Sequence, residues 1–581
     1  MVSLKADLVI LNANIVDVYS GDIYSGSIAI KSNRIIGVGK VDGLIGNSTI
    51  KVNIDGNYIC PGFIDAHLHV ESSMITLSEF AKAVLPHGTT TIIIDPHEIA
   101  NVLGVDGIKM LIEESKRIPL DVYFTVPSCV PAAPGLDTSG AELNVEDIED
   151  LLKLPNVVGL GEVMDFPGVL NGNEILLKKI FLAHSLGKRV DGHAPSLTGD
   201  ALQRYISVGI SSDHECISGI EAFEKLRFGM WIMVREGSIS KNLSEILSFL
   251  FKVDVDTHRI MFVTDDINPI DVLKYHINGL VRMAIEIGFD PIDAIRMATL
   301  NPATYYRLDH EIGAVAPGLK ANLIVLGDLD KVDVKMTIAN GRVVASNGKL
   351  ITQIDRWFYP IKAYKSINVK RIPCGDDFKF KVNLDYGRAI VRVIEVEDGS
   401  LYTKQSFIEL PIFNGVVNVD VENDVLQVAV IERHKATGNI GLGFVRGFGL
   451  KRGSLASSIS HDSHNIIVVG VNSSDMAYAV RKIIELGGGI AIVKDNSLLG
   501  CLPLPIAGLM SDEDVYSVSN KLLELNKIVM DIGCKLKEPF MTLSFIALPV
   551  IPELKITDKG LIWHNTDTGR MEFVNPIVEF K

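Results

Sequence analysis

Residues 62–71 read GFIDAHLHVE, a short apolar run that closes with two histidines separated by one residue. Its mixture of aromatic, β-branched and small residues predicts a buried strand. Side chains alternate along a strand, so His67 and His69 should point to the same face and could grip one metal ion together. Such a pair also occurs where no metal binds. The rest of the chain must therefore decide its role.

Seven further β-rich runs follow, mostly separated by segments of helical length. The eight runs are residues 62–71, 89–96, 120–128, 157–162, 189–194, 209–215, 229–237 and 258–266. Intervening segments such as LSEFAKAVLPHG and ILLKKIFLAHSLG have the apolar spacing and terminal glycine of helices. Eight alternating units predict an α/β fold of the (β/α)8 TIM-barrel type. A doubly wound sheet is the alternative, although it does not require eight repeats.

The regions on both sides of the barrel have hairpin character. Residues 4–59 contain alternating runs punctuated by Asn, Gly and Asp, and a similar pattern returns at 311–349, after a helix predicted over 291–308. The simplest arrangement has three domains. They are a small β domain from 1–60 plus 305–355, a hydrolase-type barrel over 61–304 and a C-terminal α+β domain over 356–581.

The net charge and the cysteine pattern indicate which kinds of binding partner and which cellular compartment suit the chain. The chain of 581 residues has a net charge of −15, which argues against nucleic acid or an anionic membrane as its main partner. Its six cysteines are spread without a CxxC pair, as suits free thiols in a reducing compartment. The sequence has no continuous apolar run of about 18 residues. We therefore expect a cytoplasmic protein that acts on a small molecule.

Metal-binding residue types close five of the eight predicted strands. They are His67, His69, Glu162, His193, His214 and Asp265. The C-terminal strand ends of a TIM barrel meet at one mouth, where barrel enzymes carry their active sites. A single buried histidine is ordinarily a hydrogen-bonded core residue. Six such residues at the ends of five strands are poorly explained in that way.

Imidazole and carboxylate ligands suit zinc, iron or manganese, and a carboxylate can bridge two ions. The predicted assignment is His67, His69 and Asp265 on one ion, His193 and His214 on the second, and Glu162 between them. A bound metal lowers the pKa of water toward neutrality and so supplies a hydroxide nucleophile. We expect Asp265 to orient this nucleophile and carry its proton to the leaving group, with Asp266 as the alternative.

Longer segments resemble a known family. PGFIDAHLHVESSM resembles the strand-one signature of the amidohydrolase superfamily in its adenine deaminase form. Similar segments are TTTIIIDPHEIANVLG, GLGEVMDFPGV, GHAPSLTGDALQRYISVGISSDHE, VREGSISKNL, FVTDD, ISHDSHNIIVVG and LGGGIAIV. IGAVAPGLKANLIVL matches the superfamily more generally. The resemblance therefore extends through nearly the whole chain.

The resemblance implies hydrolysis of adenine to hypoxanthine and ammonia at a two-metal site. Manganese or iron would be preferred, with zinc as a further option, and we expect a homo-oligomer. Many superfamily relatives carry a carboxylated lysine on strand four, whereas this chain has Glu162, as the adenine deaminases do. Adenine would be the small-molecule substrate, and no nucleic acid or membrane partner is expected.

Weaker candidates follow several strands. His97 and Glu98 come after strand two and are expected to contact the purine, donate a proton, hold an extra metal or simply fix the loop. Side chains near the ends of strands one, seven and eight are predicted to line the substrate pocket. They are Glu71, Ser72, Ser73, Arg235, Glu236, Ser238 and Asp266.

Two late motifs have simpler explanations. The segment HDSHN, with His461, Asp462, His464 and Asn465, has histidines spaced like metal ligands, but the sequence favours a hydrogen-bonded turn. The family resemblance keeps a contribution to the site open, with the C-terminal section capping the barrel mouth. The glycines at 487–489 predict a tight turn before a strand rather than a phosphate-binding loop.

Two other functions remain as alternatives. A different amidohydrolase would share the metals and act on a cyclic amide or an N-acyl amino acid. A non-catalytic scaffold on the same fold would be expected to lose ligands, whereas all six are present here. Ammonia release from adenine separates the first alternative from the prediction.

Overall fold

The alternating runs at the start of the chain form five strands of one sheet. In the computed structural model, which describes residues 5–565 and 570–581, they are β1 (Leu8–Asp17), β2 (Asp22–Lys31), β3 (Arg34–Gly39), β4 (Ile50–Asn53) and β5 (Tyr58–Pro61). β1 to β3 pair antiparallel, as the hairpin pattern predicts. The hairpin prediction is wrong for residues 49–60, because β4 and β5 each pair in parallel with β1. Asn12, with a φ of 56°, interrupts β1 between these two partners.

Each of the eight predicted barrel runs contains a strand. They are β6 (Phe63–Leu68), β7 (Thr89–Ile94), β8 (Asp121–Val126), β9 (Val157–Val163), β10 (Arg189–Gly192), β11 (Ser212–Asp213), β12 (Trp231–Arg235) and β13 (Ile260–Val263). β6 to β10 form one parallel sheet and β11 to β13 another. Backbone hydrogen bonds join the sheets, from Ser211 to Val190 at 3.0 Å and from Asp265 to His67 at 3.1 Å. The predicted TIM-type barrel is confirmed.

Helices follow the barrel strands. They are α1 (Leu77–Val84), α2 (His97–Leu103), α3 (Val105–Ser115), α4 (Val145–Leu152), α5 (Phe166–Leu170), α6 (Glu174–Ser185), α7 (Gly199–Ser207), α8 (Gly219–Arg227), α9 (Leu243–Lys252), α10 (Ile277–Ile287), α11 (Pro291–Met297) and α12 (Leu300–Tyr305). The single helix predicted over 291–308 is wrong, since the chain breaks between α11 and α12. Pro302 lies in the first turn of α12, where its missing N–H costs no helical hydrogen bond.

After the barrel the chain returns to the first sheet. The added strands are β14 (Leu323–Leu326), β15 (Val334–Ala339), β16 (Arg342–Ser346) and β17 (Lys349–Leu350). β14 pairs antiparallel with β5, so strands from both flanks of the barrel share one sheet. Buried side chains of both flanks, among them Ile28, Ile59 and Leu323, pack in one apolar cluster.

The described residues of the C-terminal section form an 11-stranded sheet, a separate 3-stranded sheet and three α-helices. Its elements are β18 (Phe380–Lys381), β19 (Tyr386–Glu395), β20 (Lys404–Phe413), β21 (Val416–Val417), β22 (Val425–Ile431), β23 (Ile440–Arg446), β24 (Ser454–Ser457), β25 (Ile466–Gly470), α13 (Ser473–Leu486), β26 (Gly489–Lys494), β27 (Ser497–Pro503), α14 (Val515–Asp531), α15 (Pro539–Phe545), β28 (Leu554–Thr557), β29 (Gly560–Asn565), β30 (Arg570–Val574) and β31 (Ile577–Phe580). The smaller sheet consists of β28 to β30. Gly487 ends α13 in the left-handed region at a φ of 74°, so the predicted glycine turn is confirmed.

The C-terminal section packs directly on the barrel. Ser511 donates its backbone N–H to the carbonyl of Met74 at 2.8 Å, and Thr138 donates its hydroxyl to Asp558 at 2.7 Å. Apolar side chains from both parts share one large core cluster, which includes Ile94 of β7 and Phe545 of α15. Within the described ranges, no helix combines the length and apolar character needed to cross a membrane.

Candidate metal centre and active site

Glu162 lies at the centre of the side chains that close the barrel strands. Its Oε1 is 3.3 Å from Nε2 of His69 and 3.7 Å from Nε2 of His67, both supplied by the end of β6. Its Oε2 is 2.5 Å from Nδ1 of His193 and 3.3 Å from Nε2 of His214, which follow β10 and β11. All five residues are buried. One carboxylate therefore faces two separate pairs of imidazoles.

Asp265 reaches the same point from the end of β13. Its Oδ1 lies 3.2 Å from Nε2 of His69 and 3.6 Å from Nε2 of His67. Its Oδ2 accepts a 3.0 Å hydrogen bond from Arg235. The residue has a φ of 58°, in the left-handed region that aspartate tolerates better than most residues. This conformation turns the chain as it leaves the strand, and both Asp265 and Asp266 line the cavity at the mouth.

The orientation of His69 is set by the backbone. Its Nδ1 is 2.9 Å from the carbonyl oxygen of Asp95, which can only accept, so Nδ1 carries the proton and Nε2 presents a lone pair. Metal-binding histidines characteristically donate their second ring N–H in this way. The carboxylate of Asp95 in turn accepts the backbone N–H of Glu162 at 3.0 Å. One residue thus orients two of the predicted ligands.

Two buried atoms of the donor set lack a hydrogen-bond partner among the described residues, as expected of metal ligands. These atoms are His67 Nε2 and Glu162 Oε1. The imidazole nitrogens of β6 lie 3.2 to 3.7 Å from the two carboxylates, longer than the about 2.7–2.9 Å of charge-assisted hydrogen bonds. Two donors each about 2.1 Å from one tetrahedral ion lie about 3.4 Å apart. The donors of β6, with Glu162 and Asp265, therefore fit a divalent metal ion, whereas His193 is within hydrogen-bond distance of Glu162.

The carboxylates at this point differ in their proton affinity. Burial alone would raise the pKa of Glu162, but the neighbouring imidazoles, His214 foremost, hold it well below its usual range. Burial likewise opposes ionisation of Asp265, yet the neighbouring imidazoles of His67 and His69 hold its pKa well below normal. Burial and the charge of Asp265 raise the pKa of Asp266. The first two carboxylates are thus anionic, as ligands must be.

His97 and Glu98 begin α2, directly after β7. The Nδ1 atom of His97 is 3.3 Å from Oε1 of Glu162, and its Nε2 is 3.3 Å from Oε1 of Glu98. Both residues are buried and line a small cavity at the barrel mouth, here called the mouth cavity. His97 is therefore packed between two carboxylates beside the predicted metal ligands.

The segment HDSHN reaches this cavity from the C-terminal section. Nδ1 of His461 lies 2.6 Å from Oε1 of Glu98, and Nε2 of His464 contacts the other oxygen of the same carboxylate. His461 and Asp462 line the mouth cavity. The sequence favoured a structural turn for this segment. The turn exists, since His464 bonds to the backbone of Ser460, but it also delivers side chains to the site.

An apolar roof covers the polar floor of the mouth cavity. It consists of Leu401, Phe545, Leu548, Val550 and Ile551. Sequence reasoning missed these residues, because nothing in a local apolar pattern distinguishes a cavity wall from a core. It also missed Glu215, which lines the cavity and pairs with Arg235. Its position directly after His214 at a strand end was the available signal.

Ser72, Arg235 and Asp266 lie close to the mouth cavity. Ser72 donates its hydroxyl to Oδ1 of Asp266 at 2.5 Å. Arg235 lines the cavity while it binds the carboxylates of Glu215 and Asp265. The guanidinium of Arg235 is thus paired with two acidic side chains. Its hydrogen bond holds Oδ2 of Asp265, the oxygen that does not face the histidines.

Three predicted pocket residues instead bind backbone groups beside the cavity. Glu71 accepts a 3.0 Å hydrogen bond from a backbone N–H of α2, and burial raises its pKa to about 7. Ser73 donates to the carbonyl three residues earlier, and Glu236 accepts from the first N–H of α9. Ser238 donates to Asp271. The side chains of Glu71, Ser73 and Glu236 thus fix loops beside the mouth cavity, and their contact with a substrate stays a prediction.

Comparisons with known proteins agree with this architecture. The amidohydrolase family matches residues 58–344, and the adenine deaminase C-terminal domain matches residues 400–567. The adenine deaminase of Moorella thermoacetica is 42% identical over 99% of this chain and 96% of its own length. Adenine deaminases of Dehalococcoides mccartyi and Clostridium acetobutylicum are each 45% identical over 96% of this chain, covering 95% and 96% of their own lengths.

Proposed function

The chain belongs to the adenine deaminase family of amidohydrolases, and from that premise we propose that it hydrolyses adenine to hypoxanthine and ammonia with two divalent metal ions. The observation that carries the two-metal proposal is the position of Glu162. One oxygen faces the imidazoles of β6, and the other faces those that follow β10 and β11. A carboxylate in this position suits a bridge between two ions.

The proposed ligands divide into two sets. His67, His69 and Asp265 would hold one ion, His193 and His214 the other, and Glu162 would bind both. When bound, the ions would supply Lewis acidity that makes hydroxide available from water near neutral pH. Manganese or iron is the proposed metal, with zinc as the alternative. The order of preference follows from the family resemblance, and the nitrogen and oxygen donors are compatible with all three metals.

Asp265 is the proposed proton carrier. Addition of hydroxide to C6 of adenine makes a tetrahedral carbon, and the amino group must gain a proton before it leaves as ammonia. Oδ1 of Asp265 lies near the Nε2 atoms of His67 and His69, while Arg235 donates a hydrogen bond to Oδ2. The carboxylate is therefore fixed in orientation and can accept one proton and return it to the leaving nitrogen. Asp266 remains the alternative, since it lines the same cavity.

The remaining side chains would position the substrate. The apolar roof would pack against the faces of the purine. Polar groups at the floor of the cavity would form hydrogen bonds with the edge of the purine ring, as in most small-molecule sites. His97 and Glu98 are proposed to act next to this edge, through the side chains that they contact. Ser72 would act indirectly, because its hydroxyl is bonded to Asp266.

Several coarser features belong to the same proposal. We propose the three-domain division at residues 1–60 plus 305–355, 61–304 and 356–581, which agrees with the sharing of one sheet by both barrel flanks. A homo-oligomer in the cytoplasm is also proposed. All six cysteines are free, which suits a reducing compartment.

The test combines metal analysis with an ammonia-release assay. Purified protein reconstituted with Mn²⁺, Fe²⁺ or Zn²⁺ should hold about two ions per chain and release ammonia from adenine. Adenosine should be a much poorer substrate, because the family to which the chain belongs is named for deamination of the free base. Turnover of hydantoin or dihydropyrimidine by fully metallated protein that leaves adenine unchanged would favour a cyclic amidohydrolase instead.

A further inference from the structure

We infer that His461, supplied by the C-terminal section, is a substrate-contacting residue that donates a hydrogen bond to a ring nitrogen of the purine. The inference rests on the proposed function and adds a residue to the site. His461 is 4% exposed and lines the mouth cavity, yet it lies outside the two sets of proposed metal ligands. Glu98 and Phe545 hold its ring in place.

Glu98 fixes the edge of the His461 ring. Nδ1 of His461 lies 2.6 Å from Oε1 of Glu98, a distance typical of a charge-assisted hydrogen bond. Phe545 fixes the face of the ring, since the two rings stack with centroids 4.2 Å apart and planes 14° apart. With one edge and one face engaged, the ring has a defined rotation. Its Nε2 is the polar atom left to meet a substrate.

Glu98, His461 and His464 form a hydrogen-bonded cluster, here called the clamp. The hydrogen bonds of His464 indicate that the clamp is not a third metal site. The backbone N–H of Ser460 donates to Nδ1 of His464 at 3.2 Å, so Nδ1 must be the unprotonated nitrogen. The proton therefore lies on Nε2, which donates to the second oxygen of Glu98. A protonated Nε2 has no lone pair for a cation. Glu98 thus accepts from two histidines of the C-terminal section.

The charge of Glu98 makes His461 a strong donor. Burial alone would lower the pKa of His461, but the carboxylates of Glu98, Asp462 and Asp266 raise it to about 10. Burial lowers the pKa of His464, which agrees with its neutral form. His461 is then an imidazolium, with one N–H directed to Glu98 and the other available to the cavity.

A purine needs such a donor in this cavity. The ring nitrogens of adenine that carry no hydrogen are acceptors, whereas the free polar groups at the described floor are mostly carboxylates, which also accept. Arg235 is committed to Glu215 and Asp265, and both nitrogens of His97 face carboxylates. His461 is the remaining side-chain N–H donor in the described cavity wall that the proposed metal site does not use.

The donor would matter most during the reaction. When hydroxide adds to C6, electron density moves from the broken double bond onto the purine ring nitrogens. A hydrogen bond from a cation strengthens as the acceptor becomes more negative, so its loss should lower kcat as well as raise KM. A role limited to packing would change stability or KM without this effect on kcat.

The first experiment uses His461→Phe, which retains an aromatic ring against Phe545 and removes both N–H groups. We expect kcat/KM for adenine to fall by about 10- to 100-fold, the range for a lost hydrogen bond to a charged group, with a contribution from kcat. Metal content should remain at about two ions per chain, because His461 is outside the proposed ligand sets. Activity within about threefold of wild type at equal metal content would overturn the inference.

The matched control compares two buried carboxylates. Glu98→Gln weakens the clamp on His461 and should lower kcat/KM, while Glu114→Gln should leave it unchanged. Glu114 is also buried and accepts hydrogen bonds from two separate elements, at Ser78 and Tyr359, but it is not part of the cavity wall. Equal loss in both variants at equal metal content would point to general destabilisation and contradict the inference.

A second measurement locates the proposed hydrogen bond on the purine ring. Inhibition constants of 1-, 3- and 7-deazaadenine, each lacking one acceptor nitrogen, are measured on the wild-type enzyme and on His461→Phe. One analogue should bind wild type at least about 10-fold more weakly than the other two, and this difference should vanish in the variant. Equal inhibition of wild type by all three contradicts the inference. Failure of wild type to deaminate adenine would instead refute the proposed function.

Discussion

The backbone N–H of Asp265 donates a 3.1 Å hydrogen bond to the carbonyl of His67, and His69 donates its own N–H to the carbonyl of Asp265 at the same distance. These two bonds connect the end of the last barrel strand to the end of the first. They also set the side chain of Asp265 beside both imidazoles of β6. The hydrogen bonds that close the barrel therefore also bring these three site residues together.

Asp265→Asn tests the proposed proton carrier. The amide is similar in size and can still coordinate weakly through its oxygen, but it cannot take up and return a proton. We expect kcat to fall by about 10² to 10⁴, the usual contribution of a positioned acid–base group, with a smaller change in metal content. The measurement is kcat at matched metal occupancy.

Asp266→Asn is the companion variant. It removes the charge of the neighbouring carboxylate, retains an oxygen that can accept the hydrogen bond from Ser72, and leaves the closure bonds of the barrel intact. Its effect on kcat should be milder. Near-full activity of Asp265→Asn together with strong loss in Asp266→Asn would transfer the proton-carrying role to Asp266.

Glu162→Gln tests the bridge. A neutral amide offers one good oxygen ligand, so one of the two ions should be held much less tightly. Loss of an outer-shell partner typically weakens metal binding by about 10- to 100-fold, and loss of this ligand should cost more. Titration of the apo-protein with Mn²⁺ should show one tight and one weakened site. Two equally tight sites in the variant would contradict the bridging assignment.

Lys225→Met tests a buried ion pair beneath the site. Lys225 is fully buried and donates to Asp213 and Glu221 at 2.6 Å, while Asp213 also accepts the backbone N–H that follows His193. Removing the ammonium leaves uncompensated buried carboxylates, which should cost about 3–5 kcal/mol in the free energy of unfolding. Denaturant unfolding of the metal-free protein measures this loss.

The control for that variant is an exposed pair. Lys116 is 59% exposed in its contact with Glu113, so Lys116→Met should change the unfolding free energy by no more than about 1 kcal/mol. Similar losses in the two variants would show that burial of Lys225 is not the cause.

Lys555 gives a prediction about pH. It is fully buried, and its Nζ donates to the carbonyls of Leu401 at 2.9 Å and Phe545 at 3.1 Å, both residues of the apolar roof. Burial lowers its pKa to about 7. The folded state then binds this proton less well than the unfolded state, so the cost of burying the charge is fully present below pH 7. That cost declines as pH rises from about 7 toward 10.5, the ordinary pKa of a lysine.

Lys555→Met isolates this contribution. Relative to the variant, wild type should become more stable between pH 7 and pH 9, because the other titrating groups are common to both proteins. The variant should also raise KM for adenine, since two roof carbonyls lose their donor. A stability difference independent of pH across this interval would show that the lysine has an ordinary pKa in the folded protein.

Local sequence patterns were sufficient to predict the strands of the barrel. The eight strands occur within the predicted runs because a buried parallel strand leaves a short apolar signature of its own. The alternation of side chains placed His67 and His69 on one face before any fold was known. The convergence of Glu162 with these residues followed from strand order, since strand ends of a barrel meet at one mouth.

Pairing between distant segments was not predictable in the same way. The strands within residues 49–60 have the pattern of a hairpin, but both find a better partner in β1. The break between α11 and α12 was missed because a proline in the first turn of a helix is compatible with helical periodicity. In each case a local pattern allowed two structures.

The sequence by itself determined the barrel, the histidine pair and the strand-end carboxylates, because each depends on spacing within about ten residues. The tertiary structure alone decided that Glu98 is held by histidines of the C-terminal section and that an apolar roof covers the cavity. His464 lies 366 residues beyond Glu98 in the chain. No local periodicity encodes such a contact, since it depends on how two separately patterned regions pack together.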